Sequence, residues 1–246
     1  MDKDLRYLLA LSMIQAVGAI TARKLIAYTG SAEAVFREKS KNLRKIPGVG
    51  PLLANRTSNP ELLKRADKEI EFCRKRDIGL LTMNEDEYPF RLKQCEDAPL
   101  VLFYKGLNVF NSEKLLSIVG TRNATDYGRE RVYNIVKELS VNYPELIIVS
   151  GLAYGIDYHS HIAALKNNLK TIAVLGHGLH TIYPVQHRNL GIKIVREGNL
   201  CTDFSSDMDP ERNNFIKRNR IIAGLSDASI IAESGNSGGA LITADI

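Results

Sequence analysis

From Lys114 onward the chain alternates short apolar runs with amphipathic stretches, and that rhythm implies a mostly parallel sheet covered on both faces. Strands are expected at Leu115–Val119, Leu146–Ser150, Thr171–Leu175, Leu200–Asp203 and Ala228–Ala232. Helices are expected between them at Tyr127–Asn142, Gly155–Asn167, Gln186–Glu197 and Asn213–Leu225. A last helix opens at Ser237, and the sequence stops inside that run at Ile246, so at least one further strand is expected beyond it.

The first part of the chain reads differently. Leu5, Leu8, Leu9, Leu11 and Ile14 recur at helical spacing within a helical region over residues 5–27. Ala16-Val17-Gly18 opens a segment that returns, degenerate, at Gly48-Val49-Gly50, with Ala22 matched by Ala54. The second copy, Ile46-Pro47-Gly48-Val49-Gly50, resembles a helix-hairpin-helix turn, whose glycines permit a tight bend before a helix N-terminus suited to phosphate. Contact with a nucleic-acid backbone and a purely packing hairpin both fit this segment. A charged helix follows over 59–77, then short strands at 78–82 and 100–104. The expected division is a small all-helical domain over 1–65 and an α/β domain over 66–246.

Composition narrows the class. Hydrophobic content of 44% and charged content of 25% are those of an ordinary globular chain, and the net charge of +5 leans toward anionic partners. No run approaches the about 18 apolar residues of a membrane span, and no secretory signal opens the chain. Cys73, Cys95 and Cys201 form no CxxC pair, so a reduced, cytoplasmic protein is expected.

In a doubly wound sheet, ligands sit beyond the carboxyl ends of the strands. Three loops fall there: Gly120-Thr121-Arg122-Asn123, Ser150-Gly151-Leu152-Ala153-Tyr154-Gly155 and Glu233-Ser234-Gly235-Asn236-Ser237-Gly238-Gly239. Small residues free backbone N–H groups for an anion, each following helix adds its dipole, and Arg122 suits a phosphate. Neither GxGxxG nor GxxxxGK[ST] is present, which argues against a standard NAD enzyme and a P-loop ATPase. The run Arg212-Asn213-Asn214-Phe215-Ile216-Lys217-Arg218-Asn219-Arg220 surrounds one aromatic with cations, the usual single-strand pattern; a solvated basic face with Phe215 in the core is the alternative.

Catalytic and metal chemistry find little support. His159 and His161 diverge on a helix, while His177 and His180 lie in a turn with no nearby carboxylate pair. Asp157 is a buried-looking acid that could cap its helix, orient the loop or act as a base. No catalytic residue, metal or cofactor is expected.

These motifs together resemble the DNA-processing protein A family (DprA, also called Smf). Ser150-Gly151-Leu152-Ala153-Tyr154-Gly155-Ile156-Asp157 is similar to its SGxAxGID signature, and Gly120-Thr121-Arg122 to its G[ST]R loop. Tyr183-Pro184-Val185-Gln186-His187, Phe215-Ile216-Lys217-Arg218-Asn219-Arg220-Ile221-Ile222-Ala223-Gly224 and Ser237-Gly238-Gly239-Ala240-Leu241-Ile242-Thr243-Ala244 resemble three further segments, in order. The likeness covers about residues 85–246. The chain departs at His180, where the family often has Asp, at Thr202-Asp203, where it often has Ser-Glu, and by one extra residue before Leu241.

The resemblance implies a Rossmann-like domain that binds single-stranded DNA without catalysing a reaction, protects incoming DNA and loads the recombinase RecA during natural transformation, as a homodimer. It implies that Arg122 holds a phosphate, with Gly120 and Thr121 beside it. Ser150, Gly151, Ala153 and Gly155 form a second wall, Phe215 meets a base or sugar, Arg212, Lys217, Arg218 and Asn219 lie near, and Ser237 and Gly238 close the cradle. The family's winged-helix module is not expected within these residues. The alternative is a nucleotide sensor or hydrolase of the lysine-decarboxylase-like type, for which Glu233 is the candidate acid.

Overall fold

A computed structural model describes residues 3–15, 17–57, 59–235 and 239–245. The amino-terminal region comprises α1 (Lys3–Ser12), α2 (Ala19–Thr29), α3 (Ala32–Arg37), α4 (Ser40–Leu43), α5 (Pro51–Arg56) and α6 (Glu61–Arg76). The expected helical region over 5–27 is broken by a turn between α1 and α2.

The internal repeat is real at the backbone level. Val17 N–H donates to Ile14 O and Val49 N–H to Ile46 O, each at 3.0 Å. Ala22 N–H donates to Gly18 O and Ala54 N–H to Gly50 O, again at 3.0 Å. Gly18 and Gly50 precede α2 and α5 in nearly the same extended conformation, φ −78° and −76°. Ala16 lies outside the described residues, whereas Gly48 takes the positive φ of +87° that its turn requires.

The helical region is welded to the sheet. Leu8, Leu9, Leu11, Leu25, Val35 and Leu43 share one core with Ala66 and Cys73 of α6 and with Leu100, Val101 and Phe103 of the sheet domain. Each fully buried leucine, valine or phenylalanine among them contributes about 1.5–3 kcal/mol. Arg6 holds Asp67 through two hydrogen bonds of 2.7 Å. The Glu69 carboxylate accepts from the Ser206 amide at 2.8 Å and its hydroxyl at 2.5 Å, and Arg65 pairs with Asp207 at 2.7 Å. The expected division at residues 65 and 66 therefore falls inside α6, whose apolar side completes the helical core instead of starting the next domain.

The strands are β1 (Gly79–Thr82), β2 (Val101–Gly106), β3 (Leu115–Gly120), β4 (Ile147–Ser150), β5 (Thr171–Val174), β6 (Asn199–Thr202) and β7 (Ala228–Glu233). They form one sheet in the order β1-β2-β6-β5-β4-β3-β7. Pairing is parallel from β6 through β7 and antiparallel where β2 and β1 extend it. The chain winds outward from β3 to β6 and then returns to lay β7 on the other side of β3. That reversal puts the topological switch between β3 and β7, as a doubly wound fold requires.

The remaining helices are α7 (Phe90–Lys93), α8 (Asp126–Asn142), α9 (Ile156–Lys166), α10 (Arg188–Glu197), α11 (Arg212–Leu225) and α12 (Gly239–Asp245). Val132 and Val136 of α8 and Ile156, Ala163 and Ala164 of α9 pack with Ile118 and Ile148 on one face. Ile221, Ile222 and Leu225 of α11 pack with Val119, Val149 and Val174 on the other. The alternation expected from the sequence is thus the observed one. Strand 146–150 begins one residue later, and the helix expected from Gln186 starts as a 3-10 turn, Val185–His187. Among the described residues no helix is long and apolar enough to cross a membrane.

Candidate nucleic-acid interface

The ends of β3 and β7 open onto a cavity of about 540 Å³, lined by Gly120, Thr121, Arg122, Ala153, Asp157, Arg212, Phe215, Arg218, Asn219, Ser234, Gly235 and residues of α12. It occupies the crevice at the switch point. Arg122 and Arg212 stand exposed at its rim, and among the described residues neither donates to a protein acceptor. The Arg122 guanidinium instead lies 5.7 Å from the centroid of the Phe215 ring. A cation held over an aromatic face and otherwise free to bind is suited to a phosphate with a base beside it.

The glycines of the first two loops answer to the protein itself. A Cβ on Gly120 would come within 2.5 Å of Ile156 Cγ1. A Cβ on Gly151 would wedge between the Arg218 guanidinium and Asp157 Oδ2, 2.5 Å from the latter. Gly155 has φ +74°, and a Cβ there would strike Thr121 O and sit 2.6 Å from the Arg122 carbonyl carbon. Ile156 N–H donates to Thr121 O at 3.1 Å, Thr121 N–H to Glu233 O at 2.7 Å, and Asn123 N–H to Thr121 Oγ1 at 3.2 Å. The three loops are thereby laced together, and the polar groups of Thr121 are used in the lacing.

Ser150 and Gly151 lie beneath the cavity and do not wall it. Ser150 is fully buried, and its hydroxyl donates to Ile118 O at 2.6 Å. Arg218 also departs from its expected role: it is 3% exposed and closes the cavity floor, its Nη1 donating to Gly151 O at 2.7 Å and to Val174 O. It therefore holds the ends of β4 and β5 in place, a task its helical spacing from Phe215 does not reveal. Asn219 is buried, and its Nδ2 donates to Gly239 O at 3.0 Å, tying α11 to α12. Lys217 points to the opposite side of α11, into a second cavity against the α1–α2 turn, and is separated from Arg122. Ser237 and Gly238 lie outside the described residues. Of the expected residues, Gly120, Thr121, Arg122, Ala153, Arg212, Phe215, Arg218 and Asn219 line this one space, and of these Arg122 and Arg212 are the exposed cations.

The acids and histidines have structural partners. Asp157 lies on the floor near Arg218, and burial pushes its carboxyl above the usual aspartate range, opposed by the Arg218 charge and the Ala153 and Gly151 amides. Glu233 is not among the cavity-lining residues; its Oε2 accepts from the Thr125 amide at 3.0 Å at the start of α8, where the helix dipole favours it. His161 is buried, with Nδ1 2.7 Å from Thr171 Oγ1. His180 meets a carboxylate far from it in sequence, Asp209, at 3.3 Å. Among the described residues no group of three or more His, Cys, Asp and Glu side chains converges as a metal site would require.

The sequence places the third loop and the helix after it at this end of the sheet, but not the side chains of that helix in the wall of the cavity. Leu241, Ile242 and Thr243 line it, a role that an apolar run at the end of the chain does not announce. Tyr183 stands out in the sequence only as part of a motif, yet its ring lies 5.8 Å from that of Phe215.

Residues 79–246 match the sequence profile of DNA recombination-mediator protein A. The chain belongs to this family. Protein Smf of Synechocystis sp. is 35% identical over 247 residues, covering 99% of this chain and 62% of that protein. The chain spans less than two thirds of the length of the curated relatives it matches. Among solved structures, DNA processing protein A from Streptococcus pneumoniae superposes with a TM-score of 0.79 at 31% identity, over 97% of this chain and 80% of that one. DNA processing protein A from Helicobacter pylori, whose structure is described as showing a unique single-stranded DNA binding mode, gives 0.61 at 27% identity, over 68% of this chain and 74% of that one. The family match begins at β1 and so includes every strand of the sheet.

Proposed function

We propose that this chain binds single-stranded DNA at the β3–β7 crevice and serves as a recombination mediator in natural transformation, protecting incoming strands and loading RecA onto them as a homodimer in the cytoplasm. The observation that carries the DNA reading is the grouping of Arg122, Arg212 and Phe215 around an open cavity, where among the described residues neither guanidinium donates a hydrogen bond to a protein acceptor. Free cations beside a ring hold a backbone and a base together, and a ring accepts any base by its face. The single-stranded DNA binding described for the Helicobacter pylori relative supports the same polymer. RecA loading and dimer formation rest on family kinship.

The protein acts in this reading by binding, without turnover. A nucleotide hydrolase would require an acid free to act at the cavity; the Glu233 carboxylate accepts from the Thr125 amide at the start of α8, and Asp157 is buried on the floor near Arg218. The deciding experiment is competition: an unstructured oligonucleotide should displace a labelled single strand, while a duplex of equal length displaces it poorly. Equal competition by the two contradicts the proposal, and release of base or phosphate from nucleoside monophosphates, lost in Glu233→Gln, would favour the hydrolase.

A further inference from the structure

We propose that Tyr183 is a second base-stacking position, so that adjacent bases of a bound strand lie on Tyr183 and Phe215 side by side. This rests on the single-stranded DNA reading above and adds to it a subsite outside the cavity itself. Tyr183 is 46% exposed although it is a large ring, and among the described residues its hydroxyl has no hydrogen-bond partner. Its ring is tilted 35° to that of Phe215 with 5.8 Å between centroids. The two rings are thus in contact and too close for a base to enter between them. They form instead a continuous apolar step at the lip of the cavity.

The geometry of that step favours bases. Phe215 already carries the Arg122 guanidinium above it, whereas among the described residues no cation lies over Tyr183. Its face is the more available of the two. The loop that presents it is firmly seated: Pro184 is buried with φ −66°, and His187 Nδ1 lies 2.9 Å from Leu152 O. On the same rim Tyr154 donates to Gln186 Oε1 at 2.9 Å, which joins the second glycine loop to the Tyr183 loop. An aromatic ring on such a support has few rotamers to lose on binding. The 5.8 Å spacing exceeds the ~3.4 Å rise of stacked bases, so the step suits a strand pulled out of helical stacking.

The test compares Tyr183→Ala, Tyr183→Phe and Arg122→Ala in the full chain. The probes are labelled oligothymidine and an oligonucleotide of the same length built from abasic tetrahydrofuran units. Tyr183→Ala should weaken oligothymidine binding about 5- to 100-fold and leave the abasic strand unchanged, because only the base is lost as a partner. Tyr183→Phe should retain affinity, and the salt dependence should be unaltered in both variants. If Arg122→Ala weakens binding and Tyr183→Ala does not, the stacking position is wrong and the DNA site stands. If Tyr183→Ala weakens the abasic strand equally, the residue merely supports its loop and the inference is overturned. If Arg122→Ala itself changes nothing, both readings fall.

Discussion

The Arg122 guanidinium sits 5.7 Å from the centroid of the Phe215 ring, joining the end of β3 to the first turns of α11 across the crevice. One residue supplies charge and the other a sequence-tolerant surface, and their contributions separate experimentally. Phe215→Ala should weaken single-stranded DNA binding about 5- to 100-fold with the salt slope unchanged. Arg122→Lys should recover only part of the wild-type affinity, since it keeps the charge and loses the planar fork. Titration of a labelled oligonucleotide with each variant at two salt concentrations checks both statements.

Gly155 makes the crevice possible by letting two loops touch. It adopts φ +74° and ψ −127°, and an added Cβ would meet the Thr121 carbonyl. Gly155→Ala is expected to cost about 1–3 kcal/mol of stability from backbone strain alone, and to displace the Arg122 backbone as well. Gly30→Ala is the control: φ is +93° but no atom lies within 4 Å of its Cβ. It should lose about 1–2 kcal/mol through strain and bind DNA normally once folded. Denaturant unfolding and binding, measured on both variants, distinguish the two.

His161 predicts the direction of acid sensitivity. The Thr171 hydroxyl donates to Ile148 O at 2.7 Å, so it accepts from His161 Nδ1–H, and the buried Nε2 has no partner among the described residues. Burial lowers the His161 pKa from 6.5 to about 3. A folded-state value below the unfolded one means that the unfolded chain binds the extra proton. Stability from this group is therefore complete above about pH 6.5 and is lost toward pH 3, by up to about 1.4 kcal/mol per pH unit. His177, also depressed by burial, acts in the same direction. His161→Gln should flatten the decline between pH 6.5 and 4 in denaturant unfolding.

The shared core predicts that the helical region and the sheet unfold together. Leu9 is fully buried in the cluster that includes Leu100, Val101 and Phe103. Leu9→Ala should destabilise the whole chain by about 2–5 kcal/mol, with loss of far-UV ellipticity and of DNA binding coinciding. A fragment beginning at residue 79 should aggregate or unfold more readily, because it would expose the apolar surface that α1 and α6 cover.

The centre of the sheet is legible in the sequence because the inner parallel strands are buried on both faces and read as apolar runs; β4, β5 and β6 are buried throughout, whereas the edge strand β7 is not. The switch-point loops are legible because β3 and β4 end at residues that tolerate close approach. What those glycines approach is not legible, since a glycine that meets a ligand and one that meets another part of the protein have the same sequence. Gly151 and Gly155 prove to be of the second kind. Arg218 is misplaced by sequence because a buried arginine whose Nη1 donates to two carbonyls looks like the exposed cations around it. Lys217, one residue earlier on α11, faces the opposite cavity, a direction that only the docking of the helix fixes. Tyr183 lies in a loop without periodicity, so nothing local distinguishes its ring from a chance surface aromatic.

The most direct measurement is fluorescence anisotropy of matched single- and double-stranded oligonucleotides across a salt series, with the wild-type chain and Arg122→Ala. The account predicts a preference for the single strand, with affinity falling on added salt at a slope near −0.7 for each phosphate held. Arg122→Ala should bind at least about tenfold more weakly, with a slope shallower by about one phosphate. Salt-insensitive binding, or unchanged affinity in Arg122→Ala, would contradict the assignment of the β3–β7 crevice as the DNA site.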